Sequence, residues 1–301
     1  MVSLPTFSPE SFVISDTATV RQWLNDPGAP LMNRAAVGVY QPGSIIKLIT
    51  AGAALEQKLI NPTTTITCPG SIQVGDHVFH CWNRDGHGPL NLSEALMQSC
   101  NVYFMQTGMR LGAPRLLAAM EKMGLSHRTG WPLEEQAGHL PQRRLSQGEV
   151  GLLAIGQGEV LVTALQMAAM AGAFATKGWL VEPWVVSAIN DHPVGHHGVR
   201  HRLGWSEQTM EAVRAGMIAV VRDPVGTGHR AFSGLVSIAG KTGSAQTHVP
   251  NQPNGWFIGF CPVEQPRVAM AIVAEHGGSG GDLPADIARA ICEYVSAPET
   301  L

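Results

Sequence analysis

The stretch Gln41-Pro42-Gly43-Ser44-Ile45-Ile46-Lys47 decides how the rest of this 301-residue chain is read. Pro42-Gly43 is a turn pair that stops the preceding segment. Ser44 stands where a helix begins, and Ile45, Ile46, Leu48, Ile49, Ala53 and Leu55 follow at helical spacing over residues 44–58. Ser44 and Lys47, three residues apart, share one face of that helix. A serine hydroxyl is a weak nucleophile at its ordinary pKa, and a neighbouring amine desolvated enough to be neutral can take its proton. The helix start adds backbone N–H groups and a positive dipole end for a developing oxyanion. Alone, the tetrapeptide has a blander reading in which Ser44 is an ordinary N-cap. The rest of the chain decides between the two.

Apolar residues make up 45% and charged residues 14%, enough for a sizeable core in one large domain or two lobes. The formal net charge is −3 and no dense basic run occurs, which argues against nucleic acid as a partner. The most apolar run, 160–175, is interrupted by Thr163 and Gln166 and reads as a buried helix rather than a membrane span. No secretory leader opens the chain, which starts as if in the middle of a larger protein. The five cysteines are an odd number, so a complete disulfide framework is excluded and a metal site is worth testing.

Outward from the Ser44 helix, residues 1–40 read as irregular with short extended pieces, and 60–92 as a loop with short strands. Helices are expected over 93–98, from 101 to about 110, over 113–123 closed by Gly124, over 160–177 and over 206–221. The segment 125–148 reads as loop. His192, His196, His197 and His201 lack ligand spacing and read as an exposed loop. Strand signals occupy 180–189 and then 235–239, 256–260 and 267–274, with a closing helix over 282–295. The expected fold is α/β of the α+β kind, one domain over 1–301. A mainly helical lobe spans about 50–175, and an antiparallel sheet with flanking helices is drawn from about 1–43 and 176–301.

Two further stretches bear polar groups at corners. Ser99-Cys100-Asn101 falls between two helices, where a hydroxyl can relay a proton and an amide can bind a substrate carbonyl; the plain alternative is an N-cap pair. Lys241-Thr242-Gly243-Ser244 ends an apolar strand. There Lys241 supplies positive charge, Thr242 and Ser244 can hydrogen-bond a carboxylate, and Gly243 allows close backbone approach; the plain alternative is a solvated strand end.

In this order the three stretches resemble the Ser-x-x-Lys, Ser-x-Asn and Lys-Thr-Gly set of serine penicillin-binding proteins and β-lactamases. Asn33-Arg34-Ala35, Tyr40-x-Pro42-Gly43-Ser44, Cys68-Pro69-Gly70, Gly86-His87-Gly88, Gly156-Gln157-Gly158, Lys241-Thr242-Gly243-Ser244-Ala245-Gln246 and Glu275-His276-Gly277-Gly278 narrow the likeness. They resemble the transpeptidase domain of class B penicillin-binding proteins of the cell-elongation (penicillin-binding protein 2) type. The likeness runs from residue 1 to about 296, without the N-terminal parts usual in the family.

The resemblance implies a serine β-lactamase/D,D-transpeptidase-like fold and acyl transfer on D-Ala–D-Ala stem peptides of peptidoglycan. Ser44 would be the nucleophile and Lys47 its base. Ser99, with Lys241 nearby, would pass a proton to the leaving amine. Asn101, Thr242, Gly243 and Ser244 would bind substrate, and the N–H groups of Ser44 and Ser244 would form the oxyanion hole. β-Lactams would acylate Ser44. The implied setting is the extracytoplasmic face of an inner membrane beside a glycosyltransferase, with no cofactor for catalysis. A β-lactamase or D,D-carboxypeptidase on the same fold is the nearest rival. Glu134, Glu135 and Glu149 lack the Glu-x-x-x-Asn context of a deacylating base, so slow deacylation is expected. A non-catalytic β-lactam sensor is the rival outside enzymology.

Cys68, Cys81, His87 and Cys100 are separated by twelve, five and twelve residues, a spacing that is weak by itself. Three thiolates and an imidazole suit tetrahedral zinc, and the resemblance supports a structural zinc at these positions. The alternative is a Cys68–Cys81 disulfide with His87 and Cys100 merely buried. Cys261 and Cys292 read as small core residues.

Overall fold

The computed structural model describes residues 1–194, 200–247 and 249–297. Its centre is a three-stranded antiparallel sheet in which strand Asn254–Cys261 lies between Ala239–Ala245 and Val268–Ala274. The central strand is buried along almost its whole length. Its side chains alternate between two cores, as a period of two requires. Trp256, Ile258 and Phe260 join the large core shared with the helices of the middle of the chain, and Phe257 and Cys261 join a smaller one with Ala285, Ala288 and Cys292. Helix Ala164–Ala175 and the closing helix Leu283–Ser296 therefore cover opposite faces.

Several expectations change. Residues 1–43 supply no strand to this sheet; instead Glu10–Val13 and Thr17–Asn25 are helical. Asp16 caps the second by accepting from the Thr19 N–H at 3.2 Å, a local signal that outweighs the turn-rich composition. A helix at Gln147–Ala154 begins inside the expected loop 125–148, and Ser146 and Glu149 form its capping box. The expected strand over 235–239 begins only at Ala239, so Lys241-Thr242-Gly243-Ser244 lies inside the strand Ala239–Ala245 rather than at its end. Cys261 and Cys292 are not separate core residues: they form a disulfide tying the central strand to the closing helix. His192 and His201 lie in short exposed strands, while His196 and His197 fall outside the described residues.

Candidate active site

The Ser44 stretch forms a tight turn before it becomes an α-helix. Gly43–Ile46 is a 3₁₀ turn, and the α-helix proper is Lys47–Glu56, buried from Lys47 to Ala54. Gly43 makes the turn possible. Its φ is +57°, and a Cβ there would lie 2.7 Å from the Ser244 carbonyl oxygen. Its N–H donates to the Gly156 carbonyl at 2.9 Å. The lysine strand thus runs directly against the serine turn, and Ser44 stands half-buried at the junction.

Ser99 occupies the second corner, between helices Leu92–Met97 and Asn101–Leu111. Its φ of +52° is unusual for a residue with a side chain, and this conformation turns the chain from one helix into the next. The N-cap of the second helix is Cys100, whose sulfur accepts from the Tyr103 N–H at 3.4 Å. Ser99 and Asn101 are thereby freed from capping, contrary to the plain alternative.

Lys47 and Lys241, both fully buried, converge on that corner. Lys47 Nζ donates to the Ser99 carbonyl at 2.8 Å, to Ser99 Oγ at 3.2 Å and to Asn101 Oδ1 at 2.7 Å. Lys241 Nζ donates to Ser99 Oγ at 2.9 Å and to the Thr242 carbonyl at 3.0 Å. The Ser44 hydroxyl is not among the hydrogen-bond partners of Lys47. One serine oxygen therefore sits between two amines in a water-poor site. Burial lowers Lys47 to a pKa of about 8, opposed by the nearby Cys100 and Cys81 sulfurs. Burial, and then the charge of Lys47, push Lys241 well below the ordinary lysine value. Two ammonium ions on one hydroxyl repel each other, so the pair favours a state with one neutral amine. A neutral amine beside a hydroxyl relay is a proton acceptor in place.

Thr242 is buried, and Ser244, on the same face of the strand, is exposed. Thr242 Oγ1 donates to Thr227 Oγ1 at 2.7 Å. Thr227 was not singled out by the sequence, because it follows the helix Glu207–Arg222 in a short Gly-Thr-Gly turn that resembles many others. The three glutamates considered as deacylating bases do other things. Glu135 accepts from the Thr129 N–H, the Thr129 hydroxyl and the Gly130 N–H, and Glu149 serves its capping box and pairs with Arg143. Glu134 is exposed.

Beneath the Ser99 corner the ligand atoms of Cys68, Cys81, His87 and Cys100 all lie within 4.8 Å of one another. The three cysteines are free thiols, so the Cys68–Cys81 bridge is not formed. Cys81 Sγ accepts from the Asn101 N–H at 3.3 Å and lies 3.6 Å from His87 Nδ1. The hydrogen bond with Cys100 favours the Cys81 thiolate and pushes the Cys100 thiol up. His87 Nε2 is buried without a partner. Tetrahedral zinc with sulfur at about 2.3 Å spaces its ligands roughly 3.8 Å apart, so the donor set and its size fit that ion.

The chain matches the penicillin-binding protein transpeptidase domain family over residues 1–293. Peptidoglycan D,D-transpeptidase MrdA of Acinetobacter baumannii is 31% identical over 330 residues, covering 98% of this chain and 48% of that protein. The crystal structure of Pseudomonas aeruginosa PBP2 in complex with WCK 5153 superposes with a TM-score of 0.88 at 30% identity, covering 100% of this chain and 71% of that one. A ceftriaxone acyl-enzyme complex of penicillin-binding protein A from Mycobacterium tuberculosis gives 0.88 at 27% identity, covering 97% and 69%. The chain spans about half the length of the curated relatives it matches first.

Proposed function

This chain belongs to the penicillin-binding protein transpeptidase family, and from that premise we propose that it is a peptidoglycan D,D-transpeptidase working through a Ser44 acyl-enzyme. The observation that carries the reading is the convergence of Lys47 and Lys241 on Ser99 Oγ, beside the strand that abuts the Ser44 turn.

Ser44 Oγ attacks the carbonyl of the D-Ala–D-Ala bond as its proton passes to neutral Lys47. The backbone N–H groups of Ser44 and Ser244 hold the oxyanion. When the C–N bond breaks, the departing D-Ala amine takes a proton through Ser99, whose oxygen is refilled from the adjoining amines. An amine from a second stem peptide then attacks the ester carbonyl, loses a proton along the same relay and releases Ser44. Asn101 binds the substrate amide, and Thr242 and Ser244 bind its terminal carboxylate. β-Lactams enter the first half of this cycle and stay on Ser44, since Glu135 and Glu149 are engaged elsewhere and Glu134 is exposed, leaving none of the three candidates set up to activate a deacylating water.

Cys68, Cys81, His87 and Cys100 are the residues that would hold structural zinc. Bound there, it would supply charge neutralisation and rigidity, pinning the 68–87 loop to the helix that starts at Asn101. Among the described residues no helix is long and apolar enough to cross a membrane. We place the activity on the extracytoplasmic side beside a membrane glycosyltransferase, on the strength of the family.

Stoichiometric, slowly reversed labelling by a chromogenic cephalosporin together with D-Ala release from a stem-peptide analogue is the expected result. Rapid turnover of the cephalosporin makes the chain a β-lactamase, and labelling without D-Ala release makes it a binding module.

A further inference from the structure

We infer that Thr227 is a positioning residue for carboxylate recognition, acting through the hydroxyl of Thr242. This rests on the reading of the site given above. The turn that carries Thr227 is rigid: the Gly226 N–H donates to the Asp223 carbonyl at 2.9 Å and the Gly228 N–H to the Val220 carbonyl at 3.0 Å. A Cβ at Gly226 would meet the Val220 carbonyl oxygen at 2.3 Å, so the backbone there is packed tight against the end of its helix. The turn joins two walls of the site. The Thr227 N–H donates to the Met97 carbonyl at 3.1 Å, two residues before Ser99, and its hydroxyl faces Thr242.

The polarity of this contact matters. With no ligand, the Thr242 hydroxyl donates to Thr227 Oγ1 at 2.7 Å, and Thr227 donates to the Met97 carbonyl at 3.4 Å. A carboxylate only accepts, so it must take the Thr242 proton away from Thr227. A threonine at 227 can answer by rotating its own O–H onto Thr242 Oγ1. The short contact then survives with its direction reversed. What is given up is the long bond to Met97, whose carbonyl keeps the Thr227 N–H. The incoming donor also polarises the Thr242 O–H and strengthens its bond to the anion. A residue without a hydroxyl at 227 removes both the partner that fixes the Thr242 hydroxyl and the donor that would polarise it, so the bond from Thr242 to the anion is weaker. The backbone bond to Met97 needs no particular side chain, so a purely structural role for Thr227 predicts no dependence on the ligand's charge.

The test is the second-order rate constant for acylation of Ser44 by a penicillin and by its methyl ester, which lacks the anion. Thr227→Val is expected to slow the acid several-fold, up to about tenfold, and the ester less than about twofold, the size of one net hydrogen bond between neutral groups. Thr227→Ser is expected to bring the acid back to within about twofold of the parent, since the hydroxyl is restored. In a Thr242→Val background the valine at 227 is expected to add nothing. Thr227→Ala provides the same comparison if the valine variant does not fold, and thermal melting reports which variants do. Equal losses with acid and ester, or no loss with either, overturn the inference. A parent chain acylated by neither compound overturns the reading of the site itself, and the inference with it.

Discussion

Sulfur holds two regions of this molecule in different ways. Behind the sheet, Cys261 and Cys292 join the central strand to the closing helix by a covalent bond that closes a 31-residue separation. Beside the reactive corner, Cys68, Cys81 and Cys100 remain thiols gathered with His87, and two of them accept backbone N–H groups of the helix that begins at Asn101. The first tie sits at the end of the central strand, past Ile258, which pairs with Lys241, and its sulfurs lie in the smaller core behind the sheet. The second holds a corner whose serine is strained and whose oxygen must face two amines. The difference teaches that stability and reactivity are secured separately here, so each can be disturbed without the other.

The sharpest break in that separation comes from Lys47→Met. It is expected to slow Ser44 acylation by roughly 10³-fold, the scale of a lost general base, while removing a buried amine whose desolvation is costly. Stopped-flow acylation with thermal melting checks both halves. Cys292→Ala is the mirror experiment. Losing a cross-link over this separation is expected to cost about 3 to 4 kcal/mol of stability in denaturant titrations, with the acylation rate left within about twofold of the parent because the tie lies outside the site. The cysteine–histidine cluster should fall between these cases. Protein purified without chelator is expected to carry about one zinc per chain, and Cys100→Ser to lose it along with roughly tenfold in acylation rate. Only trace metal in elemental analysis, with full activity, would remove the cluster from the account.

A change of pH tests the same amine without a substitution. Lys47 acts as a base only when neutral, and burial sets its pKa at about 8. Below that value acylation is expected to rise with pH in step with the neutral fraction, and above it to level off. A flat profile between pH 6 and 9 in the parent chain would contradict the assignment of Lys47 as the base.

The parts of the site that could be read directly from the sequence are those in which chemistry is packed into a few consecutive residues. Ser44 and Lys47, Ser99 and Asn101, and Lys241 to Ser244 each announce themselves within four positions, and the fold brings the three runs together. Thr227 was not legible, since its importance comes from an approach between a helix-terminal turn and a strand 15 residues further on. The Cys261–Cys292 bond was missed for the same reason: only the packing of the closing helix on the central strand makes those two cysteines neighbours. The N-terminal helices failed differently. They bury no residue, and the second shows only a short stripe, Val20, Trp23 and Leu24, beside its capping residue Asp16. Helix Gln147–Ala154 did carry its sign, Ser146 followed by Glu149, at the C-terminal end of the expected loop 125–148.

The central claim is tested most directly by incubating the chain with a penicillin, digesting it and locating the added mass by peptide sequencing in a mass spectrometer. The account predicts one adduct per chain on the hydroxyl of Ser44, absent from Ser44→Ala. An adduct on another residue, or an unmodified Ser44 in protein that melts cooperatively, would contradict it.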